Sequence, residues 1–192
     1  MTAAIRSGPP MVPEITPGLV AGHPCPVCRR RPKLSSYHAT VLDLAGQGLD
    51  PVTIDRAYRW PWDTAALYTR VATRCLRASN TAHAIDIAMR AGLITVPDYP
   101  DDNHPAITDV LRTTGQLLAD GHTHARIAEI RGVHPRTVST AARRLYDELD
   151  VNSTAAVVLA LHSLDLLATE HPCPCQPPAT AHPHTTTRQE AA

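Results

Sequence analysis

Four cysteines lie in two closely spaced pairs near the ends of the chain. Cys25 and Cys28 belong to the sequence HPCPVC, and Cys173 and Cys175 belong to HPCPC. Cys-x-x-Cys is a common spacing in zinc knuckles, and four thiolates complete a tetrahedral zinc site. One zinc ion held by both pairs would tie the two ends of the chain together. The alternative is two pairs of thiols without metal, because Cys-x-Cys is a rarer ligand spacing.

A second set of residues has the chemistry to contact DNA. Arg136, Ser139, Thr140 and Arg143 share one face of a helix by their spacing. Arginine reads guanine edges or holds phosphate, whereas serine and threonine mainly contact phosphate. The candidate DNA-binding residues are Arg136, Thr137, Ser139, Thr140, Arg143 and Arg144, together with Arg70 and Arg74 earlier in the chain. The alternative is an ordinary solvated helix face, since charges usually lie in water.

Motifs of enzymes are absent from the sequence. It has no Gly-rich phosphate loop, no His-Glu-x-x-His zinc motif and no nucleophile elbow built on Ser or Cys. The 11 histidines could suggest metal chemistry, but those of HPHTTT and HTH lie in a tail and a turn, where solvation is the simpler account. We therefore expect a protein that is not an enzyme.

The composition favours helices in a reducing compartment. Hydrophobic residues make up 43% of the 192 residues, but Phe is absent and aromatic residues make up only 4%. Ala, Leu, Val and Ile must fill the core, which suits closely packed helices. No apolar run reaches the ~20 residues of a membrane helix, and the N-terminal sequence does not read as a secretory signal. We expect a cytoplasmic protein, where an odd number of cysteines argues against a disulfide framework.

Charge and proline content divide the chain. The formal net charge is zero, but the N-terminal part is basic and the sequence TVPDYPDDNH is acidic. Segments rich in Pro and without apolar periodicity are expected to be unstructured unless other contacts hold them. The predicted divisions are a basic arm (1–33), a first periodic unit (34–94), an acidic linker (95–104), a second periodic unit (105–168) and a Pro/His/Thr-rich tail (169–192).

The two periodic units match each other in one register without gaps. Gly48 aligns with Gly121 and Ile54 aligns with Ile127, an offset of 73 residues, the difference between 121 and 48. We interpret the units as two copies of one four-helix element. A strand in either unit, or a different order of helices, would overturn this interpretation.

The second unit contains residues that typically start and end helices, and they divide it into four. Pro105 is expected in a first helical turn, and Gly121 is suited to end that helix. Thr123 can cap a second helix that ends at Gly132, and Pro135 fits the first position of a third. A short helix, a tight turn and a longer helix make a helix-turn-helix.

The third and fourth helices of this unit have clear apolar faces. The third is expected to bury Val138, Ala142, Leu145 and Leu149. Asn152 or Ser153 is expected to cap the fourth, which runs through TAAVVLALHSLDLL.

The stretch LLADGHTHARIAEIRGVHPRTVSTAARRLYDELDVNSTAAVVLAL resembles the C-terminal DNA-binding domain of LuxR/NarL-type (GerE-like) transcription regulators. The matching residues are the LLA.G entry, Ile127, Ala128, Gly132, Thr137, Val138, Leu149, Val151 and Ser153. The first unit carries a weaker version, with Ile54, Thr64, Leu76, Ser79, Asn80 and a closing AGLI. The resemblance implies two four-helix domains, in each of which the third helix enters the major groove and the fourth mediates dimerisation.

The first unit departs from the family's pattern. Asp63 occupies the place of Arg136 and would repel phosphate, so this copy is expected to be degenerate. Trp60 and Trp62 are expected to pack in the core or between the units rather than to stack on bases. Cys75 lies alone in the third helix of this copy and is expected to be a small buried residue.

These observations lead to one expected function and one alternative. We expect an all-α, cytoplasmic transcriptional regulator that binds double-stranded DNA through a tandem helix-turn-helix pair. The alternative is a protein-interaction module that contacts RNA polymerase or another regulator without reading DNA. The two fourth helices would pack on each other within the chain or join two chains in a homodimer.

Overall fold

The computed structural model describes residues 14–24, 29, 31–95 and 105–167. Within them the protein is mainly helical, as expected, with one two-stranded sheet. The elements are β1 (Leu19–Ala21), β2 (Lys33–Ser35), α1 (Ser36–Gly46), α2 (Pro51–Tyr58), α3 (Thr64–Leu76), α4 (Thr81–Arg90), α5 (Asp109–Ala119), α6 (His124–Arg131), α7 (Pro135–Leu149) and α8 (Thr154–Ser163).

Local sequence signals start and stop the helices of the second unit largely as predicted. The Thr123 hydroxyl accepts the Arg126 N–H at 3.3 Å, and Gly132 ends α6 with a φ of 61°. Pro135 is the first residue of α7, where its missing N–H costs no hydrogen bond. Ser153, not Asn152, caps α8.

The prediction for the start of α5 is wrong, because Pro105 lies before the helix. The side chain of Thr108 accepts the N–H of Leu111, and the helix begins at Asp109. A hydroxyl that satisfies an otherwise unpaired N–H of the first turn defines the start better than a proline that precedes it.

Corresponding helices repeat at a nearly constant offset of 73 residues, the difference between Asp109 and Ser36. The offset holds for both ends of α1 and α5, α2 and α6, and α4 and α8, whereas α7 begins two residues earlier than the register of α3 predicts. The ends of α2 and α6 repeat the same backbone conformation, since Arg59 and Gly132 are both left-handed.

One hydrophobic core runs through both halves of the chain. Its centre is the contact of α4 with α8, where Ile85, Ile87, Val157 and Leu161 are almost fully buried. Complete burial of each of these side chains stabilises the fold by about 1.5–3 kcal/mol. The two fourth helices therefore form the intramolecular pair, one of the two predicted arrangements.

Two hydrogen bonds cross between the halves in a reciprocal way. Asn152 Nδ2 donates to the Gly48 carbonyl oxygen at 3.1 Å, and Ser79 Oγ donates to the Gly121 carbonyl oxygen at 3.1 Å. Both glycines have a positive φ, and an added Cβ at Gly121 would collide with the Ser79 hydroxyl. Asn152 and Gly121 lie 73 positions after Ser79 and Gly48, so each of the two hydrogen bonds is the counterpart of the other.

The contact of α4 with α8 also contains a buried charge. Asp86 accepts hydrogen bonds from Arg90 Nε at 2.9 Å and from His162 Nε2 at 3.0 Å. Only 1% of Asp86 is exposed, so both partners are needed to offset its desolvation.

Buried residues of α1, α2 and α3 form a second, smaller core. Trp60 packs there as predicted, with its ring stacked on Tyr58 at a centroid distance of 4.6 Å. Tyr68 lies edge-on to Trp60 at 5.3 Å. These rings pack against one another beside the loop that joins α2 to α3.

In the described part of the N-terminal arm other contacts hold the chain, so it is ordered, and a short two-stranded sheet is added to the mainly helical protein. β1 and β2 pair antiparallel, with Val20 opposite Leu34. The ribbon is held against the helices because His23 N–H donates to the Ala91 carbonyl oxygen at 2.6 Å and Leu34 is buried. Backbone pairing and these two anchors offset the entropy of ordering a proline-rich segment.

Candidate nucleic-acid interface

Helix α7 separates cleanly into a buried side and an exposed side. The predicted stripe of Val138, Ala142, Leu145 and Leu149 is buried, which confirms this part of the sequence interpretation. This stripe holds α7 against the rest of the second unit, where α5, α6 and α8 contact it. The opposite side of the helix is therefore presented to solvent.

All eight predicted DNA-binding residues are exposed. In α7 these are Arg136, Thr137, Ser139, Thr140, Arg143 and Arg144, and in α3 they are Arg70 and Arg74. The helical spacing places Arg136, Thr140 and Arg143 in one stripe, with Arg144 beside them. The structure brings the α7 residues together on one surface.

The arginines of α7 carry charge that the described part of the protein does not neutralise. Arg136, Arg143 and Arg144 form no salt bridge with any described residue. The hydroxyls are held locally, since Thr140 Oγ1 donates to the Arg136 carbonyl oxygen at 2.9 Å. Unpaired guanidinium groups beside short polar side chains can bind phosphate or a base edge.

A groove runs alongside the first half of α7. Thr108 and Val110, at the start of α5, line one side, and Arg136, Thr140 and Arg144 line the other. The His134 side chain also lines this groove and accepts the Arg136 N–H at 3.2 Å. The sequence interpretation missed His134, although its place just before a helix-starting proline marks it as a candidate N-cap.

The far end of α7 has the opposite charge. Asp147, Glu148 and Asp150 are exposed near or at its C-terminal end. Carboxylates there would repel phosphate, so the first half of the helix is the part suited to nucleic acid.

The corresponding face of α3 is chemically different. Asp63 Oδ2 lies 3.2 Å from Arg70 Nη2, so the Arg70 charge is compensated. Arg74 is exposed and forms no salt bridge with any described residue. Leu67 is 48% exposed and occupies the stripe between Asp63 and Arg70. In the sequence, the spacing of Leu67 from these two charged residues indicates that this leucine lies on the same exposed face.

Two predictions about buried residues in the first unit are wrong. Trp62 is 87% exposed. Trp60 already packs against the small core, and Trp62, which follows Pro61, lies in solvent. Cys75 is exposed, because α3 buries its neighbour Leu76 and turns Cys75 toward solvent. α3 buries only a narrow stripe that ends at Leu76, and Cys75 lies outside this stripe.

The predicted zinc ligands Cys25, Cys28, Cys173 and Cys175 lie outside the described residues. Among the residues that the structure does describe, no group of three or more His, Cys, Asp or Glu side chains is placed to hold a metal ion.

The surface beside the N-terminus of α6 includes a histidine with an altered titration. Desolvation lowers the pKa of His122, an effect that nearby Asp120 opposes. In the first unit, burial likewise lowers the pKa of His38, whose Nδ1 lies 2.8 Å from Ser35 Oγ. The neutral imidazole is favoured at both positions.

None of the helices in the described ranges combines the length and the apolar character that crossing a lipid bilayer requires. Comparison of the chain with protein-family models, curated proteins and solved structures found no match in any of the three.

Proposed function

We propose that the protein binds double-stranded DNA, with the first half of α7 in the major groove, and acts as a transcriptional regulator. The observation that carries the proposal is the exposed stripe of Arg136, Thr140 and Arg143, with Arg144 beside it and no carboxylate partner for these arginines among the described residues. Such a stripe is suited to phosphate contacts and to reading guanine.

The arrangement of α6 and α7 supports this proposal. A short helix, a turn at residues 132–134 and a longer helix follow in the order of a helix-turn-helix, and α6 packs against α7. In this motif the second helix enters the major groove while the first crosses the backbone. The resemblance of residues 117–161 to LuxR/NarL-type domains points to the same use of α7.

We further propose that α1–α4 and α5–α8 are two copies of one helix-turn-helix unit joined in a single chain. The common offset of their helix bounds supports this, as do the reciprocal hydrogen bonds from Asn152 to Gly48 and from Ser79 to Gly121. Reciprocal contacts are the signature of an isologous, two-fold interface. In this arrangement the contact of α4 with α8 takes the place of a homodimer interface.

A strand in either unit was the stated criterion for overturning the duplication, and one is present, so the proposal stands only in an altered form. The strand β2 enters the first unit at Leu34 and Ser35, where we expected no strand. The helix order is kept, and Ser35 caps α1 just as Thr108 caps α5. We therefore treat the ribbon as an addition to the first copy rather than as a different fold.

In this proposal the two copies do not contribute equally to recognition of the DNA sequence. At the positions of Arg136 and Arg143, the first copy has an ion pair between Asp63 and Arg70. We assign the sequence contacts to α7, and Arg70 and Arg74 at most hold the DNA backbone.

A selection of binding sites from random duplex DNA by the full chain tests this function. We expect enrichment of a defined sequence and an affinity that falls steeply with salt, because phosphate contacts release bound cations. Failure to enrich any sequence, with weak binding that does not depend on salt, would overturn the proposal. That result would favour the alternative of a regulator that binds another protein, such as RNA polymerase.

A further inference from the structure

The groove between the start of α5 and the first half of α7 carries a net positive charge. Arg136 and Arg144 line it, and none of the described residues that line it is a carboxylate. Asp109 follows Thr108 in the chain but does not line the groove, and its Oδ1 lies 3.0 Å from Arg112 Nη2. The charges of the groove therefore favour an anion.

The imidazole of His134 lines the same groove, and its cap interaction sets its tautomer. Nδ1 accepts the N–H of Arg136 at 3.2 Å and so caps α7. An Nδ1 atom that accepts a hydrogen bond carries no proton, so the neutral ring has its proton on Nε2. His134 is exposed, and no described residue accepts this Nε2–H. The groove thus contains an uncharged donor that is free to bind a ligand.

The hydroxyl groups of the groove differ in what they can still donate. Thr140 Oγ1 donates to the Arg136 carbonyl oxygen at 2.9 Å, so its proton is already engaged. Thr108 Oγ1 accepts the Leu111 N–H at 3.4 Å and keeps its own proton for another acceptor. Phosphate oxygens of DNA accept hydrogen bonds from uncharged side chains of this kind as well as from arginine.

We propose that His134 contacts DNA directly, by donating its Nε2–H to a backbone phosphate that lies in the groove between α5 and α7. This inference rests on the proposed binding of DNA by α7 and names one contact of that site. Arg144 supplies charge that attracts the phosphate, and the imidazole positions the phosphate relative to the start of α7. His134 therefore has two roles, as the cap of the helix and as a contact to DNA.

A serine at position 134 separates the two roles. Serine caps helices well, but its short side chain does not replace the Nε2–H of the imidazole. His134→Ser should keep the thermal midpoint of the wild type and weaken binding of the selected duplex at least about tenfold, because a hydrogen bond to a charged group is lost. His134→Ala loses the cap as well and should also lower the thermal midpoint.

Salt dependence distinguishes this uncharged contact from an ionic one. A neutral donor releases no bound cation, so the slope of log affinity against log salt should be the same for His134→Ser and for the wild type. Arg144→Ala removes a charge from the same groove, and its slope should be shallower by about 0.9. An equally shallow slope for His134→Ser would contradict a neutral contact.

Modified duplexes identify the phosphate. A neutral methylphosphonate replaces each phosphate of the selected site in turn, and fluorescence anisotropy measures the affinity of the wild type and of His134→Ser. At one position the wild type should lose affinity, and the difference between the two proteins should largely disappear, because both then lack the same contact. At the other positions the difference should persist.

The outcomes separate this proposal from the proposed function. Equal affinity of wild type and His134→Ser for the unmodified duplex would overturn the contact, leave His134 as a cap alone and leave DNA binding by α7 intact. A difference that persists at every modified phosphate would also overturn the contact. Absence of salt-dependent binding by the wild type would overturn both proposals.

Discussion

The carboxylate of Asp63 lies 3.2 Å from the guanidinium of Arg70, and the residues at the equivalent positions of the second half are Arg136 and Arg143. Two positions that match at the 73-residue offset thus hold a neutral pair at α3 and two positive charges in α7. This difference makes the DNA-binding proposal testable by exchanging charges at matched positions.

Removal of Arg143 should weaken DNA binding more than removal of its counterpart. We expect Arg143→Ala to cost about 1–3 kcal/mol on the selected sequence if the side chain reads a base. Arg70→Ala is the matched control and should cost less, since Asp63 already holds that guanidinium. Anisotropy titrations at one salt concentration measure both, and equal losses would contradict the assignment to α7.

Removal of Asp63 should have the opposite sign. Asp63→Ala frees Arg70 and removes a repulsive carboxylate, so affinity for DNA of unrelated sequence should rise. One additional phosphate contact should make the dependence of log affinity on log salt steeper by about 0.9. Binding by Asp63→Ala that is no tighter than binding by Arg143→Ala would refute the proposed difference between the copies.

The buried carboxylate between α4 and α8 should be important for stability. Asp86→Ala leaves Arg90 and His162 without this acceptor in a buried contact, and we expect a loss of about 3–5 kcal/mol in the free energy of unfolding. Glu129→Ala, which breaks the exposed pair with Arg126 at 2.8 Å, should cost at most about 1 kcal/mol. Urea titrations compare the two variants. Similar losses would show that the buried contact contributes no more to the free energy of unfolding than the exposed ion pair does.

Two histidines should make the fold less stable in mild acid. Burial lowers the pKa of His38 and of His122, so the unfolded chain takes up protons at higher pH than the folded protein does. Their contribution is present above about pH 6.5 and is lost as the pH falls through the lowered values. The thermal midpoint should drop between about pH 7 and 5.5, and His38→Gln and His122→Gln should each reduce that drop. An unchanged drop in both variants would assign it to other groups.

Zinc binding is proposed from the sequence alone. We expect about one zinc per chain by elemental analysis, lost when Cys25 and Cys28 become Ser and equally when Cys173 and Cys175 become Ser. Chelation should leave the helices intact, because they have their own apolar cores, and should weaken DNA binding through the basic residues near Cys28. Protein purified without metal, or metal retained after loss of one pair, would exclude the shared site.

Local chemistry allowed much of the helical structure to be predicted from the sequence. The caps at Thr123 and Ser153, the stop at Gly132 and the start at Pro135 depend on backbone groups within a few residues. The buried stripe of α7 follows from a single period, and the matching helix bounds follow a register that is visible in the sequence. For these features the determining interactions lie close together along the chain.

Other features were decided by contacts between distant residues. The ribbon depends on Ala91, which accepts the N–H of His23, and a proline-rich sequence carries no local sign of that anchor. Trp60 and Trp62 have the same residue type and share Pro61 as a neighbour, yet Trp60 packs against the small core of α1, α2 and α3 while Trp62 lies in solvent. The pairing of α4 with α8 was one of two arrangements open to the sequence. It was settled by contacts between residues far apart in the sequence, since Ile85 and Ile87 are buried in one core with Val157 and Leu161. His162, 76 positions from Asp86, bonds the same carboxylate that the local residue Arg90 also contacts.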